Sequence, residues 1–222
     1  MSNPGSQTTP PRPPWAGRLI TIDGVDGAGK STQIQRLVKH LQRSHHDVVS
    51  VRDPGSTEVG TRLRELLLNS DLELHRRTEA MLFMASRCEM LETIIEPALA
   101  SEKTVVSDRF LLSNVVYQSI GSADGRVLGV PADILWQLGR LACGDRQPDL
   151  TILLDVPAEV SMARLAQESD RMESRGVDYM RSVREAYLRE VPRAGRQHVV
   201  LDATQTIDQV SQQILRLLQP NP

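Results

Sequence analysis

The 222-residue chain is long enough for one α/β domain with a sound core, and its net charge of −2 gives no overall pull toward a nucleic acid polymer. Two cysteines, Cys88 and Cys143, stand far apart in no metal-ligand spacing, which predicts a reduced, cytoplasmic protein. No apolar run approaches the roughly 18 residues of a membrane span, and the N-terminus lacks the apolar core of a secretory signal. Residues 1–17 carry Pro4, Pro10, Pro11, Pro13 and Pro14 among polar neighbours, a composition that predicts a disordered tail. From 18 to 220 the chain reads as a single domain in which apolar strands alternate with helical patterns. Predicted strands are 19–22, 47–51, 104–107, 150–156 and 198–201. Predicted helices cover 30–43, 57–69, 75–100, 131–142, 157–167, 176–190 and 206–219. Such alternation predicts a five-stranded parallel sheet covered by helices on both faces, with ligands gathered at the carboxyl ends of the strands.

The first strand runs into Gly24-Val25-Asp26-Gly27-Ala28-Gly29-Lys30-Ser31-Thr32, a complete G-x-x-x-x-G-K-[ST] loop that opens an amphipathic helix. Its glycines let consecutive backbone N–H groups close around a phosphate, and the helix N-terminus adds partial positive charge. Lys30 would reach the β/γ-phosphates and Ser31 would ligate Mg²⁺. The loop therefore predicts nucleoside triphosphate binding.

After the second strand, Arg52-Asp53-Pro54-Gly55-Ser56-Thr57 forms a sharp turn. Its Arg-Asp pair could meet the phosphate and hydroxyl of a small substrate, or the segment could be a polar connection ending in a capping threonine. The third strand ends in Asp108-Arg109. Asp108 suits a Mg²⁺-bound water and Arg109 suits two phosphoryl groups. Asp155, at the end of the fourth strand, competes with Asp108 and reads as structural. On the long middle helix Phe83 and Arg87 share a face, where a ring and a guanidinium could stack on a base and donate to its edge. Met81, Ala85, Cys88, Leu91 and Ile95 read as the core-facing stripe. Asn114, Tyr117 and Gln118 could complete a base pocket or simply bond at the surface.

Together these segments, with Leu82–Arg87, Pro97-Ala98-Leu99, Pro148–Thr151 and Asp202-Ala203-Thr204, resemble the thymidylate kinases, a family of P-loop nucleoside monophosphate kinases. The resemblance spans nearly all of 18–219. It implies a P-loop NTPase fold with a short lid at about 161–175, and transfer of the γ-phosphoryl group of ATP to dTMP with Mg²⁺. It implies that Phe83 stacks on thymine, Arg87 donates to O4, Asn114 faces the N3 edge and Tyr117 closes against C2′. Asp26 would contact the sugar 3′-hydroxyl or a Mg²⁺-bound water. Arg52 and Arg109 would hold the dTMP phosphate, with Asp53 and Gln118 beside them. A homodimer is implied as well.

Some positions depart from the family. Its usual Arg-Glu-Pro turn is here Arg52-Asp53-Pro54, and Val116 replaces a common alanine. Ser119-Ile120-Gly121-Ser122 stands where a Gly-Arg-Gly stretch is frequent. Relatives whose phosphate loop lacks arginine, as here at Gly27, usually have an arginine-rich lid. This lid offers Arg164, Arg171 and Arg175, with Arg164 and then Arg171 expected to reach the transferring group. Another nucleotide or deoxynucleoside kinase is the alternative within enzymes. A P-loop switch module is the alternative outside them, though the guanine-reading Asn-Lys-x-Asp of a GTPase is absent from the sequence.

Overall fold

A computed structural model describes residues 14–68, 72–121, 128–166 and 176–219. Five strands, β1 (Leu19–Asp23), β2 (Val48–Arg52), β3 (Thr104–Asp108), β4 (Leu150–Asp155) and β5 (His198–Asp202), form a parallel sheet in the order β2-β3-β1-β4-β5. Each predicted strand lies within a residue of an observed one. All five residues of β1 are buried, as a central parallel strand requires. Burying Leu19, Ile20 and Ile22 contributes about 1.5–3 kcal/mol apiece.

The helices are α1 (Lys30–Arg43), α2 (Glu58–Leu68), α3 (Arg76–Met90), α4 (Glu96–Ala100), α5 (Leu111–Ser119), α6 (Ala132–Cys143), α7 (Ala158–Ala166), α8 (Gly176–Glu190) and α9 (Ile207–Leu217). α1 packs with α9, while α3 joins α2, α5 and α6, and α5 also meets α8. The helix predicted over 75–100 is α3 and α4 joined by a π-helical turn at Leu91–Ile95. α5 was not predicted. Leu111 through Val116 are all buried, and the polar stripe of Ser113, Asn114, Tyr117 and Gln118, opposite Leu111, Leu112, Val115 and Val116, faces the cavity and its hydrogen-bonded chain rather than solvent.

The predicted core stripe of α3 is out of phase. Met81, Ala85 and Cys88 face outward, with Met81 61% exposed, while Ala80, Met84, Arg87 and Met90 face inward; Leu91 and Ile95 are buried as expected. Hydropathy misplaces the phase because the inner face carries a charged residue, Arg87, whose partner comes from elsewhere in the chain.

Residues 1–13 of the expected tail lie outside the described residues, but packing begins before residue 18. Trp15 donates its indole N–H to Leu218 O at 2.9 Å, its carbonyl accepts from Thr104 Oγ1 at 2.8 Å, and Ala16 is buried.

Candidate active site

The phosphate loop follows β1 and stands at the carboxyl edge of the sheet. Gly24 and Gly27 have φ of 145° and 76°, and a Cβ on either would lie 2.6 Å from Leu154 O or 2.7 Å from Ser161 O. Glycine is needed there for conformation and for space. Lys30 donates to the carbonyls of Gly24 (3.1 Å) and Val25 (2.8 Å) and lies 3.8 Å from Asp26. Burial, then repulsion from Arg109, lowers its pKa to about 7. Ser31 and Thr32 are exposed at the start of α1.

α7 is fastened to this loop. Ser161 Oγ donates to Asp26 O at 2.6 Å, and Arg164 donates to Gly27 O at 3.2 Å and to Ala203 O at 2.9 Å. Arg164, expected to reach the transferring phosphoryl group, here ties α7 to the loop and to the segment after β5. It would have to exchange these carbonyls for phosphate oxygens to act in transfer. Arg171, Arg175 and residues 167–175 of the expected lid lie outside the described residues.

Beside the loop opens a cavity of about 240 Å³. It is lined by all nine residues expected around the acceptor: Asp26, Arg52, Asp53, Phe83, Arg87, Arg109, Asn114, Tyr117 and Gln118. At the loop end, Arg109 donates to Gly24 O (3.1 Å), Ser113 Oγ (3.0 Å), Tyr187 Oη (2.8 Å) and the Asp26 carboxylate. Its guanidinium also lies over the Tyr117 ring, 5.4 Å from the centroid. Asp108 Oδ2 is 3.8 Å from Arg52 Nε, whereas Asp108 Oδ1 is buried with no hydrogen-bond partner among the described residues. Asp155 is held by Arg184 through two bonds of 2.7 and 2.8 Å, the structural role expected of it.

The other end is a chain of polar side chains. Arg87, 1% exposed, donates Nε to Asp53 Oδ2 at 2.6 Å and Nη1 to Asn114 Oδ1 at 3.1 Å. Asn114 Nδ2 donates to Gln118 Oε1 (2.7 Å), and Gln118 Nε2 donates to Glu79 Oε2 (3.3 Å). A guanidinium can only donate and an ionised carboxylate only accept, so both ends of the chain demand the same orientation of the two amides. Asp53 thus serves Arg87 from a fully buried position at the turn after β2. Burial raises its pKa and the neighbouring Arg87 opposes the rise.

Several residues in or beside the cavity escaped the sequence reading. Arg64 lines the cavity from α2 and donates to Pro54 O at 3.1 Å; burial and then Arg52 lower its pKa. Glu79 lines it too, and its spacing from Phe83 and Arg87 along one helix face was a usable signal. Tyr179 and Tyr187 come from α8, and no local pattern links Tyr187 to an arginine 78 positions earlier.

Residues 22–214 match the sequence model of a family described as thymidylate kinase. A thymidylate kinase of Rhodopirellula baltica is 59% identical over 211 residues, spanning 95% of this chain and 84% of the relative. One from Kosmotoga olearia is 35% identical over 200 residues, 89% of this chain and 93% of the relative. One from Methylobacillus flagellatus is 39% identical over 204 residues, 91% of this chain and 97% of the relative.

Proposed function

This chain belongs to the thymidylate kinase family, and on that premise we propose how its residues divide the work of the reaction. The protein is an ATP-dependent phosphotransferase that converts dTMP and ATP to dTDP and ADP. One observation carries the assignment of roles. Asp26 belongs to the phosphate loop and also lines the cavity beside it, and Arg109 is bonded to both Asp26 and Gly24. A phosphate held by Arg109 is therefore next to one held by the loop.

Loop residues 24–32 take the ATP phosphates, with Lys30 on the β/γ oxygens. Arg52, Arg64 and Arg109 clamp the dTMP phosphate. That phosphate is already ionised, so transfer needs in-line positioning and neutralisation of charge rather than a covalent intermediate. Phe83 stacks on the base. Arg87 offers donors and Asn114 Oδ1 offers an acceptor, a pattern that suits the O4 and N3–H of a keto-pyrimidine and opposes cytosine. Tyr117 packs on C2′, where a ribose hydroxyl would clash. Arg164, once released from its carbonyls, and Arg171 are the lid residues assigned to the transferring group.

Mg²⁺ fits the chain's own groups. Asp108 Oδ1 is a buried carboxylate oxygen without a donor among the described residues, and Ser31 stands exposed at the mouth of the loop. Mg²⁺ in such sites is held by one or two protein oxygens plus phosphates, which agrees with the lack of an all-protein cage among the described residues. Bound there, it would neutralise charge on the phosphates.

The reading includes a homodimer. Val59 on α2, Met81 and Cys88 on α3 and Leu141 on α6 are exposed on helices that pack side by side, an apolar surface suited to a two-fold contact. It also includes a cytoplasmic location, in keeping with two free thiols. No described helix is long and apolar enough to cross a membrane.

The test is ADP release from Mg-ATP with a panel of nucleoside monophosphates. dTMP should react fastest, and its advantage over the ribo analogue should shrink in Tyr117→Ala. Preference for another monophosphate would overturn the base assignment, and an unchanged ratio in Tyr117→Ala would move the sugar filter elsewhere.

A further inference from the structure

Arg109 has a backbone φ of 68°, a region that arginine seldom adopts, and its guanidinium is held by groups from other elements. Tyr187, deep in α8, is one of them. Its hydroxyl lies 2.8 Å from Arg109 Nη1 and 2.7 Å from Ser113 Oγ, and Ser113 Oγ donates to Asp23 Oδ1 at 2.6 Å. Chemistry fixes the direction of each bond. A guanidinium only donates, so the Tyr187 oxygen accepts from Arg109. With the Asp23 carboxylate ionised, the single Ser113 proton goes to Asp23, so the Tyr187 proton goes to Ser113. Burial holds the phenol well above its ordinary pKa, which keeps that proton in place. The Tyr187 ring meets Tyr117 edge-on, with centroids 6.1 Å apart and planes at 87°.

We propose that Tyr187 is a positioning residue for phosphoryl transfer. Its hydroxyl aims Arg109 between the phosphate loop and the acceptor phosphate, and so makes α8, the helix that follows the expected lid, part of the acceptor site. The proposal rests on reading Arg109 as the clamp on the dTMP phosphate. A tyrosine buried for packing alone would need its ring and not its hydroxyl, and here both functions of the hydroxyl are spent on groups of the site.

The experiment is Tyr187→Phe, which keeps the ring, assayed with dTMP and ATP varied separately. Loss of a neutral acceptor for a charged donor should lower kcat/KM for dTMP about tenfold, with the KM for ATP within about twofold of wild type. The melting temperature should stay within about 3 °C. In the double variant Tyr187→Phe/Ser113→Ala the combined loss should fall short of the product of the single losses, because both side chains act through one guanidinium. Wild-type dTMP kinetics in Tyr187→Phe would overturn the proposal, as would equal losses for both nucleotides together with a lower melting temperature. Arg109→Lys separates the two levels. If it leaves dTMP kinetics intact, the clamp itself is misassigned; if it is damaging while Tyr187→Phe is silent, the positioning role alone fails.

Discussion

Binding of Mg-ATP to the free protein at pH 8 should draw a proton from solution. The Lys30 side chain is 8% exposed and its pKa lies at about 7, lowered by burial and then by Arg109. Roughly nine lysines in ten are then neutral amines at pH 8, and about half at pH 7. Contact with phosphate oxygens restores the ammonium, so each ATP bound should take up about 0.9 proton at pH 8 and about 0.5 at pH 7. The sign follows from the lowered pKa, because the free site prefers the neutral amine and the occupied site the charged one. The same linkage weakens apparent affinity about tenfold, or about 1.4 kcal/mol, for each pH unit above 7 until the ordinary lysine range is reached. Titration calorimetry in two buffers of different ionisation enthalpy measures the uptake directly. Lys30→Arg supplies a group that stays charged, and its uptake should vanish. Wild-type uptake below about 0.2 proton at pH 8, or the same uptake in Lys30→Arg, would refute the reasoning.

Arg87→Ala should cost about 3–5 kcal/mol of stability, because it strands the Asp53 carboxylate in a site where both side chains are 1% exposed. Denaturant unfolding measures this, and adding Asp53→Asn in the same chain should recover part of the loss; a cost under about 1 kcal/mol would show that the buried pair is dispensable. Trp15→Ala should lower stability by about 2 kcal/mol through lost indole burial and the lost bond to Leu218, with kinetics unchanged. An unchanged melting temperature would show that Trp15 does not dock.

Where the chain spoke through local chemistry, the sequence was readable. The strands and the phosphate loop follow from apolar runs and a local motif, and the cavity lining from the strand ends at Arg52-Asp53 and Arg109, the shared helix face of Phe83 and Arg87, and the family resemblance. What could not be read was set by partners distant in the chain. The inward phase of α3 depends on Asp53 meeting Arg87, 34 positions later. α5 went unread although Ser113, Asn114, Tyr117 and Gln118 fall at helical spacing, because the segment is short and its polar stripe is turned inward. Asp53 was expected on the substrate side, yet its carboxylate is turned to a guanidinium that hydropathy had no reason to place in the core. Arg164 was expected at the transferring group from the resemblance to the family's lids, and its two carbonyl partners lie in loops 137 and 39 positions away. Tyr187 belongs to the same class.

The Trp15–Leu218 bond joins points 203 positions apart in sequence. The polypeptide path is therefore almost a closed ring, entering and leaving the fold at one spot. Linear order then has little to do with the architecture, since the five strands pair in the order β2-β3-β1-β4-β5 wherever the ring is cut. A circular permutant joined near this spot by a short linker and opened in an exposed loop would trace the same sheet. It would also place both new termini at the opened loop, where they could carry fused domains.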